Sequence, residues 1–226
     1  MGTYPTTPRT RVRRVAKRAV YDREAIHAII DEALICHVGF VVDGEPRVLP
    51  TAIARIDDRV YLHGNNKSQM LHALENGAQA CITVTHVDGL VVARSGMHSS
   101  MNYRSVVIFA RGAKLEGERK RQVLETFVER LIPGRAHDLV VRPITDQELK
   151  ITSVLEFPLE EVSAKVRSGG PVDDEADYDL DLWAGVLPLS LQVGQPEADA
   201  RLKPSIPVPD YLSTYRRPTP LREDRD

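Results

Sequence analysis

The most informative stretch of this chain reads Val60-Tyr61-Leu62-His63-Gly64-Asn65-Asn66-Lys67-Ser68-Gln69-Met70-Leu71. A run typical of a β-strand stops at Gly64 and Asn65, and an amphipathic helical pattern begins directly after it. Such a junction offers unpaired backbone N–H groups and the positive end of a helix dipole. Together with the Ser68 hydroxyl and the Lys67 ammonium group, it predicts a site for a dianionic phosphate.

The pattern around this junction predicts a small antiparallel barrel. A helix with Asp22 as its N-cap is followed by closely spaced strands, with turns at Asp43-Gly44 and Asp88-Gly89. Six strands are predicted before residue 116, and residues 186–193 are expected to return to the sheet. Sequential hairpins with helices at the edges favour a mainly β, antiparallel fold with added helices. No G-x-G-x-x-G motif follows a first strand, which argues against a Rossmann fold.

We divide the chain into a basic N-terminal arm (1–20), a barrel domain (21–194) and a Pro-rich, charged tail (195–226). A basic arm can contact nucleic acid, but aromatic stacking groups are not interleaved with these charges. We therefore expect an arm that is solvated or lies over a partner subunit, and we do not expect nucleic-acid binding.

The composition favours a protein that acts on small molecules. The 226 residues include 30 Lys and Arg against 32 Asp and Glu, so no strong field would gather nucleic acid or anionic membrane. Cys36 and Cys81 lie in apolar runs and fit buried thiols in a reducing compartment, and no residue spacing predicts a metal site. No apolar run is long enough to span a membrane, so we expect a cytoplasmic protein.

Three groups of residues are candidates for chemistry. His63 ends the strand beside the phosphate site, where its imidazole either acts on a bound molecule or is held by a structural hydrogen bond. Tyr103, Arg104 and Ser105 alternate along a later strand, and the Arg104 guanidinium suits either a phosphate or a structural salt bridge. Trp183 either closes a core or an interface, or contacts a planar cofactor.

Three stretches resemble, in order and spacing, the pyridoxamine 5′-phosphate oxidase-related flavoproteins, and in particular their nitroimidazole-reductase (Nim-like) branch. These stretches are Arg47-Val48-Leu49-Pro50-Thr51, Tyr61-Leu62-His63-Gly64-Asn65-Asn66-Lys67-Ser68 and Tyr103-Arg104-Ser105-Val106-Val107-Ile108-Phe109. The likeness continues through residues 142–154 and covers roughly residues 20–190.

The resemblance implies a split β-barrel that forms a homodimer, with two FMN molecules in interface grooves built from both subunits. Residues 48–51 would run along the flavin ring through main-chain contacts, residues 67–69 would hold the phosphate, and His63 would lie near the flavin. The predicted cofactor-binding set is Val48, Leu49, Pro50, Thr51, His63, Gly64, Asn65, Lys67, Ser68, Gln69, Tyr103, Arg104, Ser105 and Trp183, of which His63 is also the catalytic candidate.

The match to the oxidase itself is incomplete. Lys67-Ser68-Gln69 stands where the oxidase carries a Ser-Arg-Lys run. The oxidase's C-terminal Arg-Leu-His-Asp-type segment, which binds the vitamin phosphate, is absent here. Both departures argue against vitamin B6 oxidation.

We therefore predict an FMN-dependent oxidoreductase that passes electrons from a reduced nicotinamide to a small electrophilic acceptor, such as a nitroaromatic or a quinone. His63 would polarise the acceptor or supply a proton. The alternative is a non-catalytic protein of the same fold that binds a flavin, haem or a deazaflavin. For haem, His63 or His98 could serve as the axial ligand.

Overall fold

A computed structural model describes residues 2–135, 138 and 141–216 of the chain. Its strands are β1 (Ala19–Val20), β2 (Ile35–Val42), β3 (Glu45–Ala52), β4 (Ala54–Ile56), β5 (Arg59–Asn65), β6 (Gln79–Val92), β7 (Ser100–Arg111), β8 (Ala113–Lys114), β9 (Thr152–Pro158), β10 (Glu161–Arg167) and β11 (Gly185–Pro188). Its α-helices are α1 (Arg23–Glu32), α2 (Gln69–Glu75), α3 (Gly117–Leu131), α4 (Asp146–Ile151) and α5 (Asp210–Ser213).

Two antiparallel sheets form the barrel. The larger sheet has the order β1-β10-β7-β6-β2-β3, with β11 also paired to β6, and the smaller has the order β4-β5-β9-β8. The chain passes from the larger to the smaller sheet at Ile53, between β3 and β4, and again at Gly112, between β7 and β8. These two crossings close the sheets around the main core inside the barrel, so the predicted antiparallel split β-barrel is confirmed.

The first hairpin and the helix starts follow the local sequence signals. Asp43 and Gly44 connect β2 to β3 with φ angles of 53° and 80°, the left-handed conformation that a two-residue hairpin turn requires. Asp22 caps α1 by accepting a hydrogen bond from the Ala25 N–H at 2.9 Å. Thr145 begins α4 with a capping box, in which its side chain accepts from the Glu148 N–H and Glu148 accepts from the Thr145 N–H.

The predicted turn at Asp88-Gly89 is wrong. β6 runs through it without reversing, with a register shift between Val87 and Gly89 where it pairs with β7. A Cβ at Gly89 would lie 3.0 Å from the Leu187 carbonyl oxygen of β11. The glycine therefore serves the close approach of another strand and not a change of chain direction.

Two further strands differ from the prediction. β10 has no counterpart in it, because its charged and small side chains hide the apolar alternation of Val162 and Ala164. β11 ends at Pro188, earlier than the predicted 186–193 strand. No helix in the described part of the chain is long and apolar enough to cross a membrane.

Strand β5 separates two hydrophobic cores. Val60 and Leu62 point into the barrel, where the apolar faces of α1 and α2 also pack. Tyr61 points the opposite way, into a second cluster that includes Val123 and Phe127 of α3. Because side chains alternate along a strand, His63 lies on the Tyr61 face, outside the barrel and against α3.

The N-terminal segment is anchored on the barrel at Tyr4, while most of its basic residues are exposed to solvent. Tyr4 is only 2% exposed and belongs to the main core. Its hydroxyl lies 2.7 Å from Nε2 of His27 and 3.2 Å from Oδ1 of Asp58. A buried aromatic ring and these polar contacts anchor the segment, a signal that the arginine-rich composition hides.

Most of the C-terminal tail carries no regular structure until α5. There the Tyr211 hydroxyl accepts a hydrogen bond from Arg135 at 2.6 Å and donates one to Asp138 at 3.0 Å. The tail thus returns to the segment that follows α3. Residues 217–226 of the predicted tail lie outside the described residues.

Candidate functional site

His63 lies where strand β5 packs against helix α3. Its ring meets the Phe127 ring edge-on, with centroids 4.3 Å apart and planes inclined by 62°. In the sheet it lies opposite Val154 of β9, which belongs to the second cluster. The imidazole is therefore oriented by apolar packing.

A cavity of about 320 Å³ opens beside this imidazole. Its walls come from β5, α3, α4, β9 and the segment before α4. They are formed by His63, Leu124, Phe127, Val128, Leu131, Arg142, Pro143, Ile144, Glu148 and Thr152. Most of this lining is apolar, with Arg142 and Glu148 as its charged members, which suits a largely apolar molecule.

The two charged residues of the cavity are paired with each other. Arg142 Nη2 lies 2.6 Å from Glu148 Oε1, and both groups are substantially exposed. The hydrogen bonds from Arg142 and Thr145 lower the pKa of the Glu148 carboxyl to about 2. Glu148 is thus ionised at neutral pH and holds Arg142 at the cavity.

The imidazole of His63 has no hydrogen bond to any residue that the structure describes. Its Nδ1 atom is buried without a partner. Burial lowers the pKa of His63, so the ring is neutral at neutral pH. The structural hydrogen bond that was the alternative for this residue is not observed, and the neutral ring has a lone pair available to a metal ion or a proton donor.

The predicted junction after β5 has the expected geometry. The Lys67 N–H donates to Oδ1 of Asn65 at 2.9 Å, and Ser68 caps α2 by accepting from the Leu71 N–H. A Cβ on Gly64 would lie 3.1 Å from Leu71 Cδ1, so a glycine allows the helix to pack closely here. Lys67 is exposed and has no ion-pair partner among the described residues.

Strand β3 is brought next to this junction. Nη1 of Arg47 donates to Oε1 of Gln69, which links the two predicted cofactor-binding segments. β3 is an edge strand of the larger sheet, so one side of its main chain is unpaired by any described strand. Val48 and Leu49 are 65% and 44% exposed. The strand therefore offers free main-chain groups and apolar side chains to a flat molecule.

Tyr103, Arg104 and Ser105 lie elsewhere in the same chain. They belong to β7, which is three strands from β3, or roughly 14 Å along the sheet. Arg104 contacts Glu32 Oε2 at 2.5 Å and Asp88 Oδ1 at 2.8 Å. This is the structural salt bridge that was the alternative to phosphate binding by Arg104. Within one chain, these three residues therefore do not lie next to the Lys67 junction.

Trp183 is 70% exposed and belongs to neither hydrophobic core formed by the described residues. Its ring lies over Gly185, where a Cβ would come within 3.0 Å of the indole. Exposed apolar side chains surround this part of the fold. They include Leu90, Val92, Met97, Met101, Leu182 and Leu187. Interface contact and cofactor contact both stay predictions for Trp183.

The other candidate haem ligand, His98, has polar surroundings. Its Nδ1 lies 3.7 Å from Asp173 Oδ1, and its side chain and those of Asp174 and Asp177 bring ligand atoms within 4.8 Å of one another. Carboxylates of this kind favour an ion pair. They do not form the apolar walls that surround His63.

Sequence reasoning missed the wall that α3 contributes to the His63 cavity. A signal for it was present in the sequence. Helix α3 carries more apolar residues than pack against Tyr61, and two of the others, Val128 and Leu131, line the cavity. Arg142 was noticed only as part of the resemblance.

Comparison with known proteins identifies related sequences and structures. The family model described as pyridoxamine 5′-phosphate oxidase matches residues 22–166. A flavocytochrome from Azotobacter vinelandii is 40% identical over 93% of this chain and 97% of its own, with a TM-score of 0.86. An FAD- and haem-binding protein from Mycobacterium smegmatis is 33% identical over 87% of this chain and 96% of its own, with a TM-score of 0.83.

A third structure supports the fold alone. A putative 5-nitroimidazole antibiotic resistance protein from Bacteroides thetaiotaomicron is 24% identical over 66% of this chain and 86% of its own, with a TM-score of 0.52. No curated protein matches the chain.

Proposed function

The chain belongs to the pyridoxamine 5′-phosphate oxidase family, and on this basis we propose that it is a flavin-binding redox protein that also holds a haem beside His63. The observation that carries the proposal is the His63 imidazole, which is neutral, has no hydrogen bond to a described residue and lies at a largely apolar cavity. The similarity to a flavocytochrome and to an FAD- and haem-binding protein supports the same pair of cofactors.

The residues around Lys67 fit a flavin phosphate. The Lys67 ammonium group has no ion-pair partner among the residues that the structure describes, the Ser68 hydroxyl can still donate its proton, and Arg47 lies beside Gln69. A phosphate held here would allow the flavin ring to lie along the free edge of β3. FMN, the predicted cofactor, and FAD both carry a phosphate at this end, so the contacts suit either flavin.

The residues around His63 fit a haem. A neutral imidazole is the form that binds iron, and edge contact with Phe127 fixes its ring. The Leu124 and Val128 side chains would exclude water from the haem faces. Arg142 at the same cavity is paired with Glu148, and a haem propionate would have to share or replace that carboxylate.

A bound flavin supplies exchange between two-electron and one-electron chemistry, and a bound haem supplies one-electron transfer. The protein's part is to hold both groups near β5 and to keep water from them. His63 lies on the Tyr61 face of β5, a few residues before Lys67, so the two proposed sites lie at the same end of this strand.

A second candidate function is the predicted reduction of a small electrophilic acceptor by a reduced nicotinamide. In that case the His63 cavity would hold the acceptor in place of haem, and the imidazole would contact its oxygen. The observation that favours this candidate is the mixed lining, in which one arginine adjoins apolar walls.

We further propose that the protein is a homodimer. The exposed apolar residues near Trp183 and β11 form a surface of the kind that subunit interfaces cover. A dimer would also supply Tyr103 and its neighbours from a second chain to the groove along β3. Size-exclusion chromatography with light scattering measures this state directly.

The experiment that tests the main proposal adds haem and flavin to the purified protein and to two variants. We expect a Soret band in the wild type and in His98→Ala, and its loss in His63→Ala, while all three still quench flavin fluorescence. If His98→Ala lost the band and His63→Ala kept it, the haem would lie at the other histidine. If haem is not taken up and His63→Ala slows nicotinamide-dependent reduction of a nitroaromatic, the second candidate is correct.

A further inference from the structure

Residues 190–208, which connect β11 to α5, are exposed to solvent along their whole length. We refer to this segment as the strap. Its hydrogen bonds to described residues stay within the segment: Asp199 accepts from the N–H groups of Arg201 and Leu202, and Lys203 accepts from the N–H group of Ile206. The strap is therefore not held along its length by the described part of its own barrel.

Both ends of the strap are fixed on its own chain. Before it, β11 pairs with β6, and the Leu189 N–H donates to the Asp88 carbonyl at 3.1 Å. After it, Tyr211 makes the hydrogen bonds described above, and the Tyr215 hydroxyl donates to the Leu131 carbonyl at 3.3 Å. Three prolines within the strap restrict its backbone further. Holding the strap in one conformation thus costs less entropy than ordering a free tail would.

The start of the strap carries an unused strand pattern. Leu189, Leu191 and Val193 alternate with Ser190 and Gln192, which is the pattern of a strand with one apolar face, although β11 ends at residue 188. Leu191 is 71% exposed and Val193 50% exposed. A run of exposed apolar side chains of this kind marks a surface that another molecule covers. Further exposed apolar residues of the strap are Leu202, Ile206 and Val208.

The composition of the strap favours a second copy of this chain as its partner. Two acidic and two basic residues give the strap no net charge, so it does not select an oppositely charged partner such as nucleic acid. Apolar residues that are always exposed need a partner that is always present, and a second copy meets this condition. The same chain also offers an apolar surface, since Ile35, Val41 and Val48 are exposed on the outer face of β2 and β3.

We propose that the strap of each chain lies across a second copy of the chain, with Leu189, Leu191 and Val193 against an apolar surface of the partner. This inference rests on the proposed homodimer and assigns it a specific contact.

The area of the strap is large enough to matter for such a dimer. A segment of 19 residues spans at most roughly 65 Å, and at a strand width of about 4.8 Å it covers about 300 Å². In a two-fold dimer each subunit buries this area twice, once as its own strap and once beneath the strap of the partner. The total of about 600 Å² approaches the roughly 800 Å² per partner that a stable interface needs. The apolar surface near Trp183, which β11 connects to the strap, adds to this area.

The first test is photo-crosslinking between full-length chains of two masses, with flavin and haem present. Unlabelled chains that carry p-benzoylphenylalanine in place of Leu191 are mixed with an excess of unmodified ¹⁵N-labelled chains and illuminated. We expect mass spectrometry to find strap peptides joined to ¹⁵N-labelled peptides. The same group in place of Lys17, an exposed residue of the N-terminal segment, is the control and should give at least tenfold fewer mixed crosslinks.

The second test measures the dissociation constant of the dimer by sedimentation equilibrium. Combining Leu189→Ser, Leu191→Ser and Val193→Ser should weaken the dimer at least tenfold. These side chains lie outside both hydrophobic cores, so the variant should still fold. Gln192→Ser, on the other side of the same run, is the matched control and should leave the constant unchanged.

The outcomes separate this inference from the proposals on which it rests. A dimer whose crosslinks from position 191 stay within the unlabelled chain, or a triple variant that dimerises as the wild type does, would overturn the strap contact and leave the homodimer in place. A monomer would overturn both. Absorption spectra of the same samples report flavin and haem binding independently of the oligomeric state.

Discussion

His63 and Phe127 meet edge to face with their ring centroids 4.3 Å apart. This contact packs the end of β5 against α3. Its consequence is that the imidazole points out of the barrel into the α3 cavity. The residue that precedes the predicted phosphate site therefore faces a second compartment, the cavity beside α3. This connection between two neighbouring compartments is the basis of the proposed pair of cofactors.

Arg104→Met should destabilise the fold by about 2 kcal/mol, because it leaves the half-buried carboxylates of Glu32 and Asp88 without their shared counter-ion. Urea unfolding measures this loss. Arg59→Met is the matched control, since its ion pair with Glu156 is more exposed and should contribute less than about 1 kcal/mol. Equal losses in both variants would contradict the greater contribution of the Arg104 salt bridge, and a loss of flavin affinity with no loss of stability would assign Arg104 to the cofactor.

Stability should fall at alkaline pH because of Tyr4. Burial and the neighbouring Asp58 raise the pKa of its hydroxyl from 10 to about 12. The neutral phenol is thus favoured in the folded state, and its contribution is complete below pH 10 and is lost as the pH rises towards 12. Tyr4→Phe should cost about 1 kcal/mol at pH 8 and decline less steeply above pH 10.

The measurement for Tyr4 is the free energy of urea unfolding between pH 8 and 11.5. Tyr178→Phe, at an exposed tyrosine, is the control and should follow the wild type. A Tyr4→Phe curve parallel to the wild-type curve above pH 10 would show that the phenol does not cause the alkaline loss.

Gly112→Ala should destabilise the barrel by about 2 kcal/mol through overpacking at the second crossing between the sheets. The new Cβ would lie 2.9 Å from Cε1 and Cζ of the buried Phe157 ring. Gly96→Ala places its Cβ in open space and should change stability by less than about 0.5 kcal/mol. Gly112→Ala should cost less in a Phe157→Leu background than in the wild type, and an equal cost in both would reject the steric explanation.

Lys67→Ala should weaken flavin binding by about 2 kcal/mol, roughly thirtyfold, because the phosphate loses a charge-assisted hydrogen bond. Flavin fluorescence quenching gives the dissociation constant. Lys17→Ala removes an exposed lysine of the N-terminal segment and should leave the constant unchanged. Wild-type affinity in Lys67→Ala would show that the flavin phosphate binds elsewhere, with Arg47 as the next candidate.

Local signals in the sequence predicted much of the fold. The Asp43-Gly44 turn, the Asp22 cap and the strand-to-helix change after His63 are all determined by neighbouring residues, and all three are confirmed. Gly89 was misread because its role depends on a strand nearly a hundred residues later in the chain. Local patterns do not encode such a contact.

Only the local part of the candidate site could be predicted, because distant contacts leave no local pattern. The Lys67 junction is local, and its geometry is as predicted, whereas the cavity beside His63 needs α3 to pack on β5 from a distant part of the chain. Both a phosphate and a structural salt bridge were open for Arg104, and only the fold reveals its salt bridge with Glu32 and Asp88.

The most direct test of the central claim is the absorption spectrum of the purified protein, repeated on the supernatant after heat denaturation. Our account predicts a Soret band in the protein together with flavin absorption, with the flavin peaks appearing in the supernatant. A colourless protein that also takes up neither added flavin nor added haem would contradict it.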